Sequence, residues 1–155
     1  MATEHLDRSI CRTADPDALP TSAGAYLLFI LIDENVALPP RFGKLMLPKG
    51  RFIYAGNANG KGGIRARCRR HLRPKGVRHW HVDWLTSAAS KVRAAAFPGR
   101  TECELIDFLS DLPDADFPIP GFGSSDCRRC QSHLIQVDSL EASSIWPCLS
   151  NPITC

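Results

Sequence analysis

The chain has 155 residues, of which 44% are hydrophobic and 23% are charged, and its formal net charge is +3. These values are ordinary for a single globular domain, and no apolar run is long enough to span a bilayer. Residues 1–22 lack the apolar stretch of a secretory signal, so we expect a cytoplasmic protein with no membrane partner. Without export, the seven cysteines favour free thiols or metal ligands over a disulfide framework.

The first half of the chain predicts an irregular arm followed by strands. Residues 1–22 are expected to form the arm. The apolar segment GAYLLFILID (24–33) predicts a strand, RFGKLML (41–47) alternates apolar and polar residues like a second strand, and RFIYAG (51–56) predicts a third. A PKG turn separates the last two, so this half predicts a small antiparallel meander.

A strongly basic helix is predicted next, after a glycine-rich turn. GIRARCRRHL (63–72) places Ile64, Cys68 and Leu72 four residues apart on one narrow apolar side. Eight basic residues and no acid lie between residues 61 and 78, so the rest of the chain is net acidic. Such a local patch predicts a polyanionic partner such as DNA, whereas a solvated helix face would usually mix both signs. The eight residues are Lys61, Arg65, Arg67, Arg69, Arg70, Arg73, Lys75 and Arg78.

The second half predicts another helix and two short strands. The segment RHWHVDWLTSAA is compatible with either strand or helix, and KVRAAAF (91–97) predicts a short strand. TECELIDFLSDL (101–112) predicts a helix in which Thr101 is the N-cap and Glu104 completes a capping box. A loop rich in proline and glycine follows, and SHLIQV (132–137) predicts the last strand.

In this order the segments resemble the GIY-YIG nucleases. GAY (24–26) and YAG (54–56) stand where that family has its two name motifs, and YAGNANGKGGIRARCRRHL (54–72) is similar to the segment after the second motif. ECELI (102–106) fits the family's metal-binding glutamate followed by an aliphatic pair. With WHVDWL and GFGSSDC, the set resembles a stand-alone prokaryotic subfamily called Uri-type, over about residues 24–137.

This resemblance implies an α/β fold and a domain organisation. The expected core is a small three-stranded antiparallel sheet flanked by helices, within one GIY-YIG-like nuclease domain of residues 23–138. The arm of residues 1–22 precedes this domain, and a loose tail of residues 139–155 follows it.

The resemblance also implies an endonuclease that uses Mg²⁺ or Mn²⁺ to hydrolyse phosphodiester bonds in branched, damaged or otherwise structured DNA. Tyr26 would be the general base, and a nearby cation and metal would favour its phenolate. Tyr54 would position water or phosphate, and Arg67 would clamp the scissile phosphate. His71 would contact the phosphate or the leaving group, and Glu102 would hold a single Mg²⁺. The remaining basic residues, Lys61, Arg65, Arg69, Arg70, Arg73, Lys75 and Arg78, would steer the DNA backbone.

Two of these assignments have close alternatives in the sequence. Arg65 could take the role of Arg67, although Arg67 shares a helix face with His71, four residues on. Glu104 competes with Glu102 as the metal ligand, but the capping box already gives Glu104 a local role.

The family's later asparagine has no counterpart after the glutamate until the tail. The GFGSSDC segment could supply the missing polar group, through Ser124, Ser125 or Asp126. In the tryptophan-rich segment, His81 or Asp83 could contribute to the site, whereas Trp80 and Trp84 are interpreted as core residues.

A second cluster has the spacing Cys127-x-x-Cys130-x-x-His133, and Cys103 could add a fourth ligand. Four nitrogen and sulfur ligands are what tetrahedral Zn²⁺ requires. One C-x-x-C pair is only half of a zinc signature, so surface thiols beside a hydrogen-bonded histidine are the alternative.

Two other functions fit parts of the sequence. A nucleic-acid-binding module without catalysis, with a structural zinc, would retain the basic patch but would be expected to lose one of the site residues. A thiol-dependent redox protein would need a thioredoxin-like βαβ context that this chain lacks. Because the basic patch is short, a protein partner or a second copy could be needed to cut both strands.

Overall fold

The computed structural model describes residues 12–125 and 127–140. Half of the expected arm, residues 1–11, therefore lies outside the described residues, as do Asp126 and nearly all of the expected tail, residues 141–155.

Strands β1 (Gly24–Ile32) and β4 (Gly50–Ala58) form the central antiparallel pair of the main sheet. Strand β5 (Lys91–Pro98) pairs with the other edge of β1, and β6 (Leu134–Val137) pairs with β4. Within the described residues this sheet has four antiparallel strands in the order β5-β1-β4-β6. The mixed α/β class is confirmed, but the expected three-stranded sheet is wrong because strands from the second half extend both sides of the central pair.

The strand predicted at residues 41–47 is also wrong. Only short strands β2 (Val36–Ala37) and β3 (Met46–Leu47) form there, and they pair with each other in a separate two-stranded sheet. Between them, Pro40–Phe42 forms a 3₁₀ turn in which Phe42 N–H donates to the carbonyl of Pro39. Pro40 begins this turn and Gly43 ends it with a φ of +68°, so the backbone of residues 40–43 is not extended and the alternating apolar pattern forms no strand before Met46.

Helices cover both faces of the main sheet. Helices α1 (Gly63–Leu72) and α2 (Asp83–Thr86) pack on one face, against the side chains of Tyr26, Leu28, Ile30, Phe52 and Tyr54. Helix α3 (Glu102–Ser110) packs on the other face, against Ala25, Leu27, Phe29, Ile53 and Ala55. Burial on both faces explains why β1 is a continuous apolar run without polar alternation. None of the helices in the described residues combines the length and the apolar character needed to cross a membrane.

The described end of the arm packs against the start of α1. Helix α1 has no side-chain N-cap, and its first N–H groups bond instead to arm carbonyls: Ile64 to Ser22 at 3.0 Å and Arg65 to Pro20 at 2.9 Å. The four unpaired N–H groups at a helix start need such partners. Gly63 makes this approach possible, because a Cβ there would lie 2.0 Å from the carbonyl oxygen of Thr21.

Replacing Gly63 with alanine should therefore destabilise the fold. Its φ of +60° and the contact with Thr21 are both unfavourable for a side chain, so we expect Gly63→Ala to cost about 3 kcal/mol and to lower Tm by about 6–12 °C. Gly60→Ala is the matched control, because a Cβ at Gly60 meets nothing within 4 Å, and its cost should stay within about 0.5 kcal/mol. Thermal unfolding followed by circular dichroism measures both variants, and equal Tm values for them would contradict the packing role of Gly63.

Candidate functional site

Tyr26 lies in the middle of the sheet, and its hydroxyl bonds to the basic helix. Its Oη is 2.9 Å from Nε2 of His71 on α1, and both side chains are buried. Gly56 stands opposite Tyr26 in β4, and a Cβ at Gly56 would lie 2.4 Å from the Tyr26 hydroxyl. The glycine of the YAG motif therefore leaves room for the tyrosine of the GAY motif.

Asp83 at the start of α2 continues this chain of polar groups. Its Oδ1 lies 3.3 Å from Nδ1 of His71, a close contact that falls short of good hydrogen-bond alignment. Its Oδ2 accepts the backbone N–H groups of His79 at 2.7 Å and Trp80 at 3.0 Å. The order Tyr26–His71–Asp83 thus joins the sheet to both helices on this face. Sequence reasoning suggested Asp83 only as one of two contributors from its segment.

The protonation states in this chain follow from burial. Burial raises the pKa of Tyr26 well above its usual value, and this effect exceeds the opposite effect of the Arg67 cation. Burial also lowers the pKa of His71, more than Asp83 raises it. Burial favours the neutral form of Asp83, but the adjacent His71 ring and hydrogen bonds from two backbone N–H groups lower its pKa overall. At neutral pH a neutral His71 therefore accepts a hydrogen bond from the Tyr26 hydroxyl at Nε2 and faces the Asp83 carboxylate with Nδ1–H.

Tyr54 lies on the same sheet face, opposite Leu28, under the loop that precedes β6. A Cβ at Gly123 would lie 2.7 Å from the Tyr54 ring, so this loop approaches the tyrosine closely. Burial raises the pKa of Tyr54; Arg67 lowers it and Glu102 raises it further. Tyr54 is thus close enough to both Arg67 and Glu102 to feel their charges.

Arg67 is half-buried on α1 and stacks on Trp80. Its guanidinium carbon is 4.1 Å from the Trp80 ring centroid, and that of Arg70 is 4.6 Å from the same centroid. Trp80 is 36% exposed, so its interpretation as a core residue is wrong; its ring is held at the surface by two cations. Trp84 is half-buried and carries Arg78 over its ring at 5.4 Å.

A groove of about 620 Å³ runs along α1 and the segment that leads to α2. Trp80 and Asp83 line it together with basic residues. The basic lining residues are Lys61, Arg67, Arg69, Arg70, Arg73 and Lys75.

Part of the basic patch has acidic partners that the local sequence does not reveal. Arg69 pairs with Asp17 at 2.6 Å and Arg73 with Asp15 at 3.8 Å, both at exposed positions. Arg65 donates to a backbone carbonyl of the arm at 2.7 Å. Exposed ion pairs contribute little to stability, so Arg69 and Arg73 can exchange these partners for others, whereas Arg65 has a structural role.

Glu102 reaches the sheet from the opposite face. Its Oε1 accepts a 3.0 Å hydrogen bond from Nδ2 of Asn57, which directly follows the YAG motif in β4. Asn57 was missed by sequence reasoning, which looked for an asparagine only after the glutamate. The sequence feature that could have identified Asn57 is a polar residue at an α3-facing position of a largely apolar strand.

Glu104 has different partners. Its backbone N–H bonds to the Thr101 hydroxyl at 3.2 Å, which confirms Thr101 as the N-cap of α3. Its carboxylate lies 3.4 Å from Arg100 Nη1 and bonds to the Thr101 hydroxyl. Glu102 therefore faces Asn57, while Glu104 is engaged at the helix start.

The two serines of the GFGSSDC segment, which was expected to supply a polar group, differ in burial. Ser124 is buried and donates to the carbonyl of Gln131 at 3.4 Å, whereas Ser125 is exposed. His81 accepts the backbone N–H of Gly123 at 2.8 Å, and burial followed by the nearby Arg41 lowers its pKa.

A Cys₃His cluster lies beside this loop. One ligand atom from each of Cys103, Cys127, Cys130 and His133 lies within 4.8 Å of the others, so the cluster could hold a metal ion such as zinc. Burial raises the pKa of Cys127, but hydrogen bonds with the backbone N–H groups of Cys130 and Arg129 outweigh it and lower the pKa overall.

Acid should weaken the fold partly through His71. Because its pKa is lower when folded, the unfolded chain binds this proton more readily, and the free energy of unfolding falls as pH drops below about 6.5. His71→Gln removes this contribution, so its free energy of unfolding should fall less steeply between about pH 7.5 and 5.5. Urea unfolding across this range measures how steeply the free energy of unfolding changes with pH. Some pH dependence should remain in the variant, because burial also lowers the pKa values of His81 and His133. Identical slopes in wild type and variant would contradict a neutral, buried His71.

Comparison with known proteins identifies a family but no relative with a described activity. A family model described as "Domain of unknown function DUF123" matches residues 25–149. No curated protein and no solved structure matches the chain. The matched residues run from the start of β1 to beyond β6 and include both tyrosines, the basic helix, Glu102 and the Cys₃His cluster. The chain therefore belongs to the DUF123 family.

Proposed function

We propose that this protein is a GIY-YIG-type endonuclease that hydrolyses phosphodiester bonds in DNA with the help of Mg²⁺ or Mn²⁺. The observation that carries the proposal is the buried Tyr26–His71–Asp83 chain, placed beside Arg67 and a basic groove. A tyrosine bonded to a neutral histidine that faces a carboxylate is a proton-accepting arrangement, because each group can pass a proton to the next.

In this proposal the attacking water gives its proton to Tyr26 Oη as its oxygen bonds to phosphorus. The Tyr26 phenol proton moves to Nε2 of His71, and the Asp83 carboxylate stabilises the imidazolium that forms. The bond between phosphorus and the leaving oxygen breaks, and its electron pair stays on that oxygen. Since His71 accepts the proton, Tyr26 need not be ionised beforehand, despite its raised pKa.

Arg67 would hold the phosphate during this step. Its guanidinium can donate two parallel hydrogen bonds to phosphate oxygens, and it already lies close enough to both tyrosines to lower their pKa values. Tyr26 is buried, so we expect DNA to draw Arg67 from the Trp80 ring and admit water to the hydroxyl.

Glu102 is the residue that would hold the metal. Its carboxylate is an oxygen donor of the kind Mg²⁺ prefers, and the Asn57 amide fixes its direction. When bound, Mg²⁺ would neutralise charge on the leaving oxygen, with water filling its other positions. One site cuts one strand, so cleavage of a duplex would require a second copy or a partner.

Removing one catalytic group at a time should abolish cleavage. Tyr26→Phe, Arg67→Ala and Glu102→Gln should each slow cleavage at least about 100-fold, since each lacks a proton acceptor, a phosphate clamp or a metal ligand. Glu104→Gln is the matched control and should cleave like wild type, because Glu104 contacts Arg100 and Thr101. Labelled single-stranded, duplex, flap and junction DNA with Mg²⁺ or EDTA provides the measurement.

Two results would overturn the catalytic assignment. Equal cleavage by wild type and all three variants would mean that other residues, or a contaminant, are responsible. Binding of every DNA without cleavage of any would identify a nucleic-acid-binding module instead.

Trp80 should contribute to DNA affinity by stacking on a base. With Arg67 drawn to the phosphate, the exposed Trp80 indole would offer a flat surface beside the groove, and stacking on an aromatic side chain contributes about 1–3 kcal/mol per base. Trp80→Ala should therefore weaken binding of a labelled single strand about tenfold, measured by fluorescence anisotropy at fixed salt. Val77→Ala, which removes an exposed apolar side chain from the same groove, should change affinity little. Equal losses in the two variants would argue against stacking.

A further inference from the structure

We propose that Cys103, Cys127, Cys130 and His133 form a structural Zn²⁺ site that joins the start of α3 to the loop before β6. This site is separate from the proposed Mg²⁺ site, and its metal binding does not depend on nuclease activity. It combines a local C-x-x-C-x-x-H segment with one cysteine from a distant helix.

The spacing of the ligand atoms suits tetrahedral zinc. All four lie within 4.8 Å of one another, and the Sγ atoms of Cys103 and Cys127 are 3.5 Å apart. Zn–S bonds of about 2.3 Å in a tetrahedron place sulfur atoms about 3.8 Å apart, so only small shifts are needed. Four protein ligands close the coordination sphere, which is the pattern of structural rather than catalytic zinc.

His133 provides independent support for a ligand at this position. Its side chain is 4% exposed, and its Nε2 is buried with no hydrogen-bond partner in the described residues. A buried imidazole nitrogen without a partner is costly unless something binds it.

The backbone around the cysteines is also arranged to stabilise thiolates. The N–H of Cys130 donates to Sγ of Cys127 at 3.3 Å, within the turn of the C-x-x-C segment. Metal-bound thiolates accept such backbone N–H groups, which disperse their negative charge.

The proposed zinc would fix the position of Glu102. Cys103 directly follows Glu102 in α3, while His133 N–H bonds to the Phe122 carbonyl in the loop that covers Tyr54. A metal between them would therefore hold the helix start and the loop at a constant separation. This consequence rests on the proposed function, whereas zinc binding does not.

The alternative use of this cluster is a disulfide between Cys103 and Cys127, whose sulfurs are already close. Forming it would require an oxidant to take up two electrons and two protons, and it would leave Cys130 and His133 without a role. Zinc uses all four side chains.

Metal analysis of the reduced full-length protein tests the proposal without DNA. Mass spectrometry of the metal content should find about one zinc per chain in wild type. Cys127→Ser and His133→Ala should lose nearly all of it. Cys68→Ala is the matched control: this buried thiol belongs to the core under α1, outside the cluster, and its replacement should leave zinc content unchanged.

Spectroscopy of the wild type keeps the test independent of how the variants fold. Co²⁺ added to the zinc-depleted protein should produce thiolate-to-metal charge-transfer absorption and the visible bands of tetrahedral cobalt, and added Zn²⁺ should remove them. Failure of reduced wild-type protein to take up Zn²⁺ or to give this spectrum would overturn the proposal. So would a native Cys103–Cys127 disulfide, or equal zinc loss in Cys68→Ala. If wild type binds no zinc yet cleaves DNA, the zinc site is wrong and the endonuclease proposal stands; if zinc binds but its removal leaves cleavage unchanged, only the role of zinc in fixing Glu102 is wrong.

Discussion

Burial of strand β1 on both faces is the constraint on which the rest of the structure depends. Helices cover each side of this strand, so a polar group on it has no access to bulk water and must find a partner inside the protein. The hydroxyl of Tyr26 meets this requirement through His71, and His71 in turn lies against Asp83. The candidate site is therefore a product of the same burial that forms the core, and its ionisation states follow from it.

Features that depend on local sequence were predicted well. The apolar run of β1, the spacing of apolar residues in α1 and the cap at Thr101 specify their elements directly, and α1 begins and ends where the periodicity predicts. The pattern failed at residues 41–47, where the 3₁₀ turn Pro40–Phe42 and the positive φ of Gly43 interrupt the extended backbone that a strand needs. The number of strands in the main sheet could not be predicted from the sequence either, because it depends on long-range strand pairing, which leaves no local sequence pattern.

The site shows the same division. The resemblance singled out Tyr26, His71 and Glu102, and the structure brings Tyr26 and His71 into contact. The resemblance could not identify the residues that hold His71 and Glu102 in place. These are Asp83 and Asn57, which lie far from them along the chain and belong to no motif of their own. Sequence spacing suggested the C-x-x-C-x-x-H segment, but only the fold shows that Cys103 completes it, because α3 and the loop before β6 are adjacent only in three dimensions.

The ion pairs between the arm and α1 have a consequence for how this surface would meet a polyelectrolyte. Asp15 and Asp17 already neutralise part of the charge on Arg73 and Arg69. Fewer condensed counterions would then be released from DNA than the number of basic residues suggests, and log affinity would fall less steeply with log salt. In the proposed DNA complex the arm would act as an internal competitor, which would weaken non-specific attraction to any phosphate backbone and leave more of the discrimination to contacts made at short range.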